Sequence, residues 1–229
     1  MPINFNNKIN SILKKFHSDN KGVAFKEIEN LVQKNNKNIS LITAYAIMAK
    51  KLNYESKAVK SFKYILEKEP SNIICLHNLY SIYLKNLNFD KAITLINKII
   101  SINPNHYDAL RDKAYVQYQK GKIQESLTSI EIALKENSKD FFGLNIKGLL
   151  LYSLNQIQDA VKVFETAIDI NKNYPDSFNN LGNCYIELEE LNKAFYFFKK
   201  SYKINSKHDL TLINIGNVLS LKDKNLIAI

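Results

Sequence analysis

Apolar side chains recur along this chain at three- and four-residue spacing, in runs of about a dozen residues that come in pairs with a short polar break inside each pair. Such spacing puts the apolar residues of a run on one helical face, so each pair predicts two amphipathic helices joined as a hairpin. The breaks carry turn residues: Asn53-Tyr54, Lys120-Gly121-Lys122, Asn155-Gln156 and Glu189-Glu190 within hairpins, and Pro70 and Pro104 after them. The pairs also repeat. Ala24, Ala58, Ala92, Ala160, Ala194 and Ala228 stand on a 34-residue ladder, with Ser126 on the remaining rung. Registered on it, the chain reads as one array over 1–229, with full copies at 5–38, 39–72, 73–106, 107–140, 141–174 and 175–208 and a truncated seventh at 209–229. Repetition at this period predicts a stack of like units.

Two helices approach closely only where one presents a small side chain, which gives the 34-residue period a packing meaning. The first helices offer the column Ala46, Ala114, Gly148, Gly182 and Gly216, and the second helices offer the alanine ladder. Around them, Phe62, Ile96, Ile130, Phe164 and Phe198 form one predicted core column, and Ile42, Leu76, Leu110, Leu144, Phe178 and Leu212 another.

A small residue eight places into the copy, a tyrosine three later, an alanine at place 20, an aromatic at 24 and a proline at 32 resemble the tetratricopeptide repeat. The sixth copy carries the pattern best, with Leu181, Gly182, Tyr185, Ala194, Phe198 and Ser201. The resemblance implies an all-α fold, a right-handed alpha-solenoid of helix-turn-helix repeats, whose first helices line a concave groove that holds a peptide or protein segment. The first copy departs from the pattern at Lys8, Ser11 and Lys15, which suits a terminal unit facing water.

Composition narrows the partner classes. The net charge is +10, with thirteen lysines against six acidic residues in the first 72 positions, yet Arg111 is the only arginine. Specific nucleic-acid readout favours bidentate arginine, so no specific nucleic-acid partner is expected. Met1 to His17 has no long apolar core, so neither a secretory signal nor a membrane span is predicted and the expected location is the cytoplasm. Cys75 and Cys184 lack disulfide or metal-ligand spacing, and no cofactor or metal is expected. The thirty asparagines match the usage of a genome poor in G and C.

Exposed places 2, 5, 6, 9, 12 and 13 of the first helices are where a ligand is expected. They give Asn78 early, Arg111 and Tyr115 in the middle, and Asn179, Asn180, Asn183, Asn214 and Asn217 late. An asparagine amide both donates and accepts, so a row of them at repeat spacing can pair with successive peptide groups. Asn78, Asn180 and Asn214 resemble the asparagine ladder in the tetratricopeptide region of O-linked N-acetylglucosamine transferase, interrupted here by Asp112 and Ile146. No three successive copies carry the lysine, asparagine and arginine set with which chaperone-binding members of the family hold a terminal carboxylate.

Catalytic signatures are missing from the sequence: His17, His77, His106 and His208 lie on different copies, read as solvated turn or groove residues, and there is no phosphate loop or nucleophile setting. The expectation is a non-catalytic interaction scaffold. A second expectation comes from the ending, Asn225-Leu226-Ile227-Ala228-Ile229, where the seventh copy's second helix has barely begun. Sequence downstream would make the chain the recognition arm of a larger enzyme (a glycosyltransferase, sulfotransferase or methyltransferase). An uncapped end would alternatively favour self-association.

Overall fold

The computed structural model describes residues 5–18 and 20–227, with side chains to residue 221. Among them all regular structure is helical, in thirteen helices. They are α1 (Phe5–His17), α2 (Lys21–Lys34), α3 (Ile39–Lys51), α4 (Glu55–Lys68), α5 (Ile73–Lys85), α6 (Phe89–Ile102), α7 (Tyr107–Gln119), α8 (Ile123–Glu136), α9 (Phe141–Ser153), α10 (Ile157–Ile170), α11 (Pro175–Glu187), α12 (Leu191–Ile204) and α13 (Asp209–Ile227). The fold is an all-α helical repeat solenoid, and it divides into two units, Met1–Pro104 and Asn105–Ile229.

The boundaries follow from residues that recur every 34 positions. Inside the hairpins, Asn53, Leu87, Gly121, Asn155 and Glu189 take left-handed backbone conformations with φ between 54° and 73°. That single reversal turns the chain back on itself, and only glycine adopts it without strain. First helices begin on side chains that accept from the first turn: Asn38 from Leu41 N (3.0 Å), Asn72 from Cys75 N (3.1 Å), His106 from Ala109 N (3.3 Å) and Asp140 from Phe142 N (3.2 Å). His106 is therefore a helix cap, not a solvated turn residue. Second helices end on Asn35, Asn103, Asn137, Asn171 and Asn205. Three of these accept from the amide two residues on, at Lys139, Asn173 and Lys207, so much of the asparagine content is turn chemistry.

In unit 1, α1–α2, α3–α4 and α5–α6 are hairpins, with α1 touching α3 and α3 touching α5. In unit 2, α7–α8, α9–α10 and α11–α12 are hairpins, and α7 touches α9, α9 touches α11, and α11 touches α13. Second helices instead pack on the first helix that follows within the same unit, as α8 does on α9 and α10 on α11. First helices of successive hairpins thus touch one another within each unit.

Every described rung of the alanine ladder is fully buried, Ser126 included. The Ser126 hydroxyl is accommodated because it donates to the Ala114 carbonyl at 2.7 Å, on the first helix of its own hairpin. Phe62, Ile96, Ile130, Phe164 and Phe198 are likewise fully buried. A Cβ at Gly148 would stand 2.5 Å from the Phe164 ring, which is why that place holds glycine. On α1, Lys8, Ser11 and Lys15 face solvent, and Lys15 pairs with Glu27 at 2.8 Å.

The seventh copy departs from expectation. Leu212, read as core, is 46% exposed, and a Cβ at Gly216 meets nothing within 4 Å. At Gly148 and Gly182, the equivalents of Gly216, the Phe164 and Phe198 rings of the same hairpin cover the glycine; here α13 runs on to Ile227, through the predicted turn, and among the described residues no such ring lies over Gly216. Ala228 and Ile229 lie outside the described residues.

Candidate functional site

Unit 2 carries a cavity of about 390 Å³ on its first-helix side. Helix α7 contributes Arg111, Asp112 and Tyr115; α9 contributes Phe142, Asn145, Ile146 and Leu149; α11 contributes Asp176 and Asn180, with Tyr174 just before it. The side chains at places 2, 5, 6 and 9 of successive copies meet there because the 34-residue period puts them one above another.

Aromatic rings form part of the wall. Tyr174 sits edge-on to Phe141 and Phe142, with ring centroids 5.3 and 5.2 Å away. Burial, then the neighbouring Asp176 carboxylate, holds the Tyr174 phenol protonated far above its ordinary range. Asn145 is buried, donating to Phe141 O at 2.8 Å and accepting from Ser177 Oγ at 2.9 Å. The half-buried amide of Asn180 makes no hydrogen bond with the described residues.

Arg111 is enclosed by three carboxylates: Nη1 lies 2.8 Å from Asp108 and 3.2 Å from Asp140, and Nε lies 2.9 Å from Asp112. Burial works against its charge, but Asp112, Asp140 and Asp108 outweigh burial and hold its pKa above the ordinary value. The guanidinium is therefore spent on the protein. Counting formal charges, the cluster is negative although the chain is basic.

Of the residues the sequence singled out, Arg111, Tyr115 and Asn180 are brought together in this cavity. Asn183 and Asn214 lie beside each other at the α11–α13 junction, where Asn214 Nδ2 donates to Asn183 Oδ1 at 3.1 Å and to Asn179 Oδ1 at 3.0 Å. Asn179 is buried, contrary to its reading as a groove residue, and also accepts from Thr211 at 3.2 Å. Thr211 lies 2.6 Å from His208 Nδ1, and His208 Nε2 lies 2.8 Å from Asp176, so His208 is a bridge between helices, not a solvated residue. Asn217 is exposed on α13. Asn78 belongs to unit 1, where its amide donates to Ile74 O at 2.9 Å and accepts from Lys50 at 3.0 Å. Burial lowers the pKa of that lysine.

Sequence reasoning missed Phe142, Tyr174 and Asp176. The signal for Phe142 and Asp176 was their position at place 2. For Tyr174 it was an aromatic at the place where Asn38, Asn72, His106 and Asp140 are capping residues.

Among the described residues no helix is long and apolar enough to cross a membrane, and no group of three histidine, cysteine or acidic side chains is placed to hold a metal ion. The cavity lining includes no serine, cysteine, histidine or lysine.

Comparison with curated protein sequences gives no match. Among solved structures, the fold is similar to YrrB, a TPR protein with an unusual peptide-binding site, at TM-score 0.62 and 18% identity, covering 81% of this chain and 95% of that one. It is similar to the APC/C hetero-tetramer Cut9–Hcn1 at TM-score 0.78 and 16% identity, covering 92% of this chain and 42% of that one. A tetratricopeptide repeat protein from Parabacteroides merdae ATCC 43184 matches at TM-score 0.65 and 16% identity, covering 92% and 97%. Sequence profiles described as tetratricopeptide repeat match residues 81–141 and 175–208, and one described as TPR repeat matches 148–189. Thirteen helices in 34-residue register and these three matches together place the chain in the tetratricopeptide repeat family.

Proposed function

We propose that this chain is a non-catalytic interaction scaffold that binds an extended peptide or protein segment in the first-helix cavity of unit 2. The observation that carries the reading is the Asn180 amide, without a partner among the described residues, beside the aromatic wall of Tyr115, Phe142 and Tyr174. An amide able to donate and accept suits a backbone peptide group, and rigid rings supply contact area at little entropic cost. YrrB, similar in fold, is itself described as having a peptide-binding site. Selection from a displayed random-peptide library, followed by anisotropy titration, tests the reading. Binders are expected to weaken about tenfold or more with Tyr115→Ala plus Asn180→Ala and to be indifferent to Asn78→Ala in the other unit. Binders that ignore the double variant would remove this cavity from consideration.

A second reading, pairing with another copy of the chain, is supported by α13, on which Leu210, Leu212, Ile213, Leu219 and Leu221 are all exposed. Light scattering is expected to give a mass above the monomer that falls with Ile213→Lys plus Leu219→Lys. A monomer in both samples disposes of this pairing.

A further inference from the structure

Resting on the peptide-binding reading, the charge distribution narrows its ligand. We propose that the unit 2 cavity selects a segment bearing a lysine or arginine side chain, seated against Asp112 and Asp176 and beside the Tyr115, Phe142 and Tyr174 rings.

Arg111 is the only cation among the lining residues, and Asp108, Asp112 and Asp140 already surround it. An incoming carboxylate would have to displace one of those aspartates. The exchange replaces one ion pair with another and leaves a half-buried carboxylate without its partner, which is unfavourable. An incoming cation joins the cluster instead of competing with Arg111 for its carboxylates. It adds a positive charge where carboxylates outnumber the guanidinium three to one, and where Asp176, held in place by His208 at 2.8 Å, adds another carboxylate. Aromatic faces beside these groups attract a cation further and pack along the alkyl stem of lysine or arginine. The chain's net charge of +10 opposes this only at long range, because physiological salt screens exposed charges beyond about 8 Å.

The test uses the full chain and four dye-labelled octapeptide pools. The fourth position is fixed as Arg, Lys, Leu or Glu, and the others are drawn from Ala, Ser, Leu and Tyr. Anisotropy at 0.15 M salt is expected to rank the Arg and Lys pools about tenfold tighter than Leu, with Glu weakest. In Asp112→Asn plus Asp176→Asn the Lys-to-Leu ratio is expected to collapse to within about twofold. Circular dichroism checks that the double variant is folded; if its helicity drops, Asp112→Asn alone is measured. The wild-type ranking needs no variant. A Leu or Glu pool binding as tightly as Lys overturns the inference, as does a cation preference that survives the double variant. If the Leu pool binds, loses affinity with Tyr115→Ala and shows no cation preference, the peptide cavity stands and its selectivity falls. If no pool binds, both fall together.

Discussion

The Phe198 ring covers Gly182 so closely that a Cβ on the glycine would stand 2.5 Å from Cε1. Gly182→Ala must therefore push Phe198 out of place, and a loss of about 1–3 kcal/mol is expected by urea denaturation. The same substitution at Gly216 meets nothing within 4 Å and should stabilise α13 by about 0.5–1 kcal/mol through helix propensity. Equal effects at the two glycines would contradict the packing described for the hairpins.

Leu87 holds a left-handed conformation at φ 54° while exposing most of its side chain. Leu87→Gly relieves the strain and gives up little burial, so stability should rise by about 0.5–1 kcal/mol after the extra freedom of the unfolded chain is counted. Thermal unfolding measures it. A fall in Tm would mean that Leu87 contributes packing worth more than its backbone costs.

Arg111 is the counter-charge for three aspartates on two hairpins. Removing it in Arg111→Met should cost about 2–4 kcal/mol, because the carboxylates are left facing one another in a partly buried setting. Arg111→Lys should recover only part of this, since a single ammonium cannot replace a planar fork with several donors. A loss below about 0.5 kcal/mol in chemical denaturation would class the cluster with ordinary surface pairs.

Burial pushes the Cys75 thiol up to about 11 and the Cys184 thiol to about 12. Burial and hydrogen bonds to Glu29 and Glu187 likewise raise Tyr45 and Tyr152 to about 12. Each of these groups binds its proton more tightly folded than unfolded. Their contribution to stability is then fully present below the unfolded values and is lost as pH rises through the folded ones. The urea midpoint should be level from neutral pH to about 8.5 and should fall steadily above it. At pH 8 a thiol reagent should label neither cysteine until urea unfolds the chain. Rapid labelling of the native protein would show that the thiols are accessible.

Much of the fold was legible because packing acts at a fixed period. Ala194 and Phe198 could be placed in the core from their spacing alone, and Asn53, Gly121, Asn155 and Glu189 could be placed at turns from their chemistry or their polarity. Leu87 could not, since nothing in a leucine signals left-handed backbone; only its position between Asn53 and Gly121 on the 34-residue register does. Leu212 and Gly216 were misplaced because burial depends on what packs over a position, which residue type alone does not encode. At the site, Arg111 was visible as the lone arginine. That Asp108 and Asp140 also hold it was not, because one lies a helical turn earlier and the other 29 residues away, at the cap of α9. Asn179 and Asn214 showed the same limit: identical amides can face a groove or lock two helices, and only the three-dimensional neighbours decide.

Within each unit, every helix touches only its own hairpin partner and the adjacent hairpin. Opening is then expected to be graded. Among the described residues α13 packs on α11 and α12 and exposes Leu212 and Ile213, so its amides are expected to exchange with deuterium before those of α11, whose protection rests on Phe198, fully buried against Gly182. The Asn179–Thr211–Asn214 hydrogen bonds would break with that first opening, while the cavity between α7, α9 and α11 would outlast it.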